Sequence, residues 1–124
     1  SSKAQINSFY EKNLVWLDLT LTLKDSIKPN QKYIVVIENK SNNEVIAMKS
    51  DSRPQIGLKY NSVYELVFTC DKCDTKIIEV NTHAPFDNWN LIAEIKLHNP
   101  DNLVRRVGKI FYSEQLKSFT KEKY

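Results

Sequence analysis

Val15, Leu17, Leu19, Leu21 and Leu23 alternate with Trp16, Asp18, Thr20 and Thr22. Strict period two sends the two sets to opposite faces, so this stretch predicts a strand with one buried face. Trp16 falls on the polar face. Asp25 to Gln31, holding Pro29-Asn30, predicts a loop. Tyr33-Ile-Val-Val-Ile37 is apolar on both faces, as an interior strand is. Asn39 to Asn43 carries turn chemistry and Glu44 to Met48 resumes as a strand, which predicts a hairpin. Ile56, Leu58 and Tyr60 alternate after Pro54. Asn61-Ser62 marks a turn, Val63 to Thr69 the next strand, and Thr75 to Asn81 a partner for it. From Asn88 to His98, Trp89, Leu91, Ala93, Ile95 and Leu97 share one face. Leu103 to Tyr112 is β-branched and aromatic around Gly108. Glu114 to Lys123 has only Leu116 and Phe119 as apolar residues and predicts a short helix or a frayed tail.

About seven short strands at intervals of about 8 to 12 residues, with no helical pattern between them, predict an all-β antiparallel sandwich of the immunoglobulin-like or transthyretin-like kind. The expected organisation is a leader over residues 1–13, a sandwich over 14–112 and a tail over 113–124. The tail is expected to be dispensable for stability. The expected core includes Leu17, Leu19, Val35, Leu66, Phe68, Ile78, Ile95 and Leu97.

Composition narrows the functional classes. The 124 residues are 41% hydrophobic and 10% aromatic, enough for one core and too apolar for a disordered polymer. Eighteen basic and fifteen acidic residues leave a net charge of +3. The charges are interleaved and the single arginine pair is Arg105-Arg106, so a solvated surface is expected and nucleic-acid binding is disfavoured. No apolar run approaches the length of about 20 residues that a membrane-spanning helix needs.

Cys70 and Cys73 form a Cys-x-x-Cys between two strand patterns. No helix N-terminus is predicted there to activate a thiol. A local disulfide, two free thiols and half of a zinc site are the three readings of this spacing. His83 and His98 are expected at the surface. Asp71 and Asp74 flank the cysteines without the spacing of a calcium loop. Glu65, Glu79 and Glu94 alternate with apolar residues, as solvent-facing charges do. No phosphate loop, nucleophile elbow or metalloprotease helix motif occurs. The expectation is a chain without catalytic residues, cofactor or metal.

Tyr64-x-Leu66-x-Phe68, Thr75-Lys76-x-Ile78-x-Val80-x-Thr82-x-x-Pro85 and Lys109-Ile110-x-Tyr112, after the segment Asp51 to Leu58, carry a resemblance. In this order they resemble the carboxypeptidase-regulatory-like, or transthyretin-like, β-sandwich modules of Bacteroidetes cell-envelope proteins. Here Cys70-Asp-Lys-Cys73 stands where such modules carry a Gly-Tyr turn. The resemblance implies a non-catalytic accessory role: docking to or stabilising an outer-membrane, secretion or gliding assembly, with a protein partner in the envelope. A periplasmic or outer-membrane location follows from it, with the cytoplasm as the alternative. Ser2-Lys-Ala4 has the small residues of a signal-peptidase site and equally suits a polar leader.

Partner contact is expected at open strand edges or within Arg105 to Tyr124, where Arg105, Arg106, Phe111 and Phe119 are the candidates. An alternative is a carbohydrate-binding module that uses Trp16, Trp89 or Tyr10 as a platform. A nucleic-acid-binding barrel is the third reading.

Overall fold

A computed structural model describes residues 13–24, 31–98 and 103–124, and these hold nine strands and no helix. Tyr10, the Ser2-Lys-Ala4 site and residues 25–30 of the expected loop lie outside the described residues. In chain order the strands are β1 (Leu14–Lys24), β2 (Tyr33–Asn39), β3 (Glu44–Ser50), β4 (Gln55–Lys59) and β5 (Val63–Cys70). They continue with β6 (Thr75–Asn81), β7 (Asn90–His98), β8 (Val104–Ser113) and β9 (Ser118–Lys123). A three-stranded sheet has the order β4-β1-β7, and a six-stranded sheet the order β3-β2-β5-β6-β8-β9. The residues expected to form a short helix or a frayed tail instead end in β9. Its backbone pairs antiparallel with β8, from Ser118 opposite Ser113 to Lys123 opposite Gly108.

The two sheets face each other across one core. Val15, Leu17, Leu19, Leu21 and Leu23 all point inward from β1, as their period predicts. Val35, Leu66 and Phe68 meet them from the large sheet, and Ala93, Ile95 and Leu97 complete the small one. All eight residues expected in the core are buried.

Pairing is antiparallel within β1–β4, β2–β3, β2–β5, β5–β6 and β8–β9. It is parallel in β1–β7 and β6–β8. Strands joined by a tight turn pair antiparallel, whereas parallel neighbours need a longer connection. Both parallel seams join strands distant in sequence.

Side chains lock the turns. Thr82, of the Thr-x-x-Pro exit, is buried, and its hydroxyl donates to the Lys59 carbonyl at 2.6 Å. The Ser62 amide donates to the same hydroxyl at 3.1 Å, so the end of β6 holds the β4–β5 turn. Asn43 and Asn61 take left-handed backbone (φ 63° and 57°), which asparagine tolerates better than most residues.

The unequal sheets leave overhangs. Ile46 pairs with the buried Ile37 and shares its inward face, yet it is 58% exposed because the small sheet ends before β3. On the opposite side, Tyr112, Phe119 and Lys121 occupy the inward face of β8–β9 and remain half-buried or exposed.

Candidate interaction surfaces

The residues expected to touch a partner do not form one patch. Trp16 on β1 lies opposite Gly57 on β4. A Cβ at Gly57 would meet the Trp16 ring at 3.0 Å, so the indole covers the space that the glycine leaves open. Trp89 is half-buried immediately before β7. Its Nε1–H donates to the Pro85 carbonyl at 2.8 Å. Its ring packs edge-to-face on Tyr112 and Phe119, with centroids at 5.7 and 5.2 Å. Both tryptophans are therefore engaged in packing, and neither offers a free flat platform.

Arg105 and Arg106 point to opposite faces because they are adjacent on a strand. Arg106 donates to Glu65 Oε2 at 2.7 Å on the outer face of the large sheet. This hydrogen bond, together with the carboxylate's charge, raises the guanidinium pKa above its ordinary value. Arg105 lies opposite Lys76. Phe111 is half-buried, with Lys109 Nζ over its ring at 5.3 Å.

Register aligns Glu38, Glu65 and Glu79 on adjacent strands of that outer face. Like charges directly opposite are destabilising, and Arg106 offsets this by bonding the central one. Glu65 is thereby half-buried and paired, where a freely solvated charge was expected.

Cys70 and Cys73 are joined by a disulfide across the β5–β6 turn, with Cα atoms 5.1 Å apart. Lys72 within it takes a left-handed φ of 60°. Next to the bridge, Asp74 is fully buried. The His98 amide donates to Asp74 Oδ1 at 2.8 Å, and the Asp74 amide donates to the His98 carbonyl at 3.0 Å. Asp74 Oδ2 lies 3.5 Å from His98 Nδ1. His98 is thus not a free surface residue, and Asp74 is a cap that ties the end of β7 to the large sheet. Among the described residues no group of three or more His, Cys, Asp and Glu is arranged to hold a metal ion.

Asp74→Ala is expected to cost about 1–3 kcal/mol, because a buried His98 N–H loses its acceptor. Asp74→Asn keeps Oδ1 and adds a donor for Nδ1, so its loss should be under about 1 kcal/mol. Urea unfolding of the two variants checks this. Equal losses would remove the hydrogen-bonded cap as the cause.

Two clefts border the overhangs. One, of about 260 Å³, is lined by Leu14, Ile37, Ile46, Leu58 and Tyr64 between β3 and β4. The other, of about 390 Å³, runs between β7 and the β8–β9 overhang and is lined by Lys76, Lys121 and Lys123 among others.

No family model and no curated protein matches the chain.

The sequence reading named Asp74 only as a neighbour of the cysteines and missed its burial as a cap for β7, as well as the convergence of Lys76, Lys121 and Lys123. The lysines come from β6 and β9, which the chain separates by two further strands. The alternation in Ser118–Lys123 was the available signal, but its single apolar residue, Phe119, was too little to carry it.

Proposed function

We propose that this chain is a non-catalytic interaction module of a bacterial cell envelope, docking to or stabilising a larger outer-membrane, secretion or gliding assembly through its strand edges. The observation that carries the reading is the unequal pair of sheets. They leave β3 and β7 each without a second neighbour among the described residues. Apolar side chains stand exposed beside them: Val45 (59%), Ile46 (58%) and Ile92 (74%). Edge strands of this kind invite pairing with another chain.

The resemblance of Tyr64 to Pro85 to envelope sandwich modules supports the location. So does the Cys70–Cys73 bridge, since disulfides persist in oxidising compartments. No helix among the described residues is long and apolar enough to cross a membrane, so attachment through a protein partner suits this reading.

Tagged protein expressed in a Bacteroidetes host is expected to fractionate with the envelope and to co-purify a defined protein in fixed stoichiometry. Recovery in the cytoplasm with no partner above the untagged control would overturn the proposal.

A further inference from the structure

The free edge of β7 has a definite hydrogen-bonding register. The Trp16 amide donates to the Trp89 carbonyl at 3.1 Å, and Trp16 is registered with Asn90 in the parallel β1–β7 pair. Along a strand the backbone groups of successive residues turn alternately to the two sides. Leu91, Ala93, Ile95 and Leu97 therefore address β1, and Asn90, Ile92, Glu94, Lys96 and His98 address the open side. The groups of His98 bear this out, because Asp74 takes both of them. Beyond Ile92, Glu94 and Lys96 no strand follows among the described residues. Of these, Glu94 and Lys96 line the 390 Å³ groove, and Ile92 continues the same open edge.

The floor of that groove is the overhanging inner face of β8 and β9. Ile110 is buried inward and pairs with Lys121, and Gly108 on the same face pairs with Lys123. Lys121 and Lys123 therefore project over the groove. Lys76 joins them from β6, opposite the buried Phe68. Gly108 lets β9 lie close against β8, since a Cβ there would meet the Glu122 backbone carbonyl at 2.6 Å. The nearby carboxylates are engaged or turned away. Glu122 pairs with Lys109 at 3.7 Å, and Glu94 pairs with Lys96 at 3.9 Å. None of Lys76, Lys121 and Lys123 has an ion-pair partner among the described residues. The aromatic cluster of Trp89, Tyr112 and Phe119 lies at one end of β7, and the Asp74–His98 cap at the other.

We propose that this groove receives an extended acidic peptide segment, which adds to the edge of β7 as a further strand and sets carboxylates on Lys76, Lys121 and Lys123. This rests on the reading of the chain as a protein-interaction module and names the site and the partner's chemistry. Alternating donors and acceptors on the edge match a peptide backbone. A phosphodiester supplies acceptors only and would leave the edge carbonyls unmet. Strand side chains alternate, so acidic residues at every second position would face the lysines. The open edge accommodates a segment of about five to seven residues at about 3.3 Å each.

The test uses a fluorescent peptide of about eight residues alternating glutamate and threonine, with a lysine–threonine peptide as control. Anisotropy should show saturable binding of the acidic peptide alone. Hydrogen exchange at the Ile92, Glu94 and Lys96 amides should slow when it is bound. The double variant Lys121→Glu, Lys123→Glu should keep its melting temperature, because both side chains are exposed. It should bind the peptide at least about tenfold more weakly. Glu94→Pro, compared with Glu94→Ala, which loses the same carboxylate but keeps the edge N–H, should weaken binding while leaving the pairing with β1. No binding to the unmodified protein, or equal binding by the double variant, overturns the proposal. Tighter binding of an oligothymidylate that displaces the peptide also overturns it, in favour of nucleic acid. If the double variant still captures the envelope partner, the groove proposal fails and the interaction-module reading stands.

Discussion

Phe68→Ala is expected to lower the stability of the fold by about 3–5 kcal/mol. Phe68 is among the largest fully buried side chains and sits on β5, with β2 on one side and β6 on the other. Its neighbours across the strands are Val35 and Lys76. Two flanking strands hold the backbone in place, so the sheets cannot close fully on the cavity and the substitution incurs both the transfer and the cavity terms. A domain of this size has a total stability of about 5–15 kcal/mol, so the variant stands at the margin of folding. Urea denaturation followed by circular dichroism measures the loss. A cost below about 1 kcal/mol would mean that the core repacks around the missing ring.

Deleting residues 114–124 is expected to cost about 2–4 kcal/mol, contrary to what a dispensable tail would show. The deletion removes β9 and with it the pairing of β8 from Gly108 to Ser113. It also removes Phe119 from the cluster with Trp89 and Tyr112, which exposes two half-buried rings. Aromatic pairs of this geometry contribute about 0.5–1.5 kcal/mol each beyond the area they bury. Thermal unfolding of the shortened chain checks the prediction. A melting temperature within about 2 °C of the full chain would show that β9 contributes nothing to the fold. Phe119→Ala alone should reproduce about 1–2 kcal/mol of the loss, which separates the ring cluster from the strand pairing.

These two cases mark how far the sequence could be read. Phe68 was legible because Tyr64, Leu66 and Phe68 recur with period two between turn residues. β9 was not, because Ser118–Lys123 has a single large apolar residue. An edge strand half out of the core needs little hydrophobic pattern. What holds β9 is the row of backbone groups that β8 presents, and backbone groups have no side-chain signature. The same limit applies to the candidate surfaces. Arg105 and Arg106 stood side by side as candidates for one partner contact, whereas the pleat sends one to each face. Trp16 suggested an open platform by standing among polar residues, whereas its cross-strand neighbour is a glycine.

The sequence by itself determined the class of fold, the facing of β1, β5 and β7, the hairpin turn at Asn39 to Asn43 and the eight core residues. Alternation reports which side of a strand is buried, and turn chemistry reports where the chain reverses; both are local. Only the tertiary structure decided that β7 lies parallel to β1 and β8 parallel to β6. It also decided that Asp74 is buried as a cap for β7 and that Lys76, Lys121 and Lys123 converge beside an open edge. Those features depend on which strand pairs with which and in what register. Hydrogen bonds between distant strands set that choice, and no single segment carries it in its own pattern of apolar and polar residues.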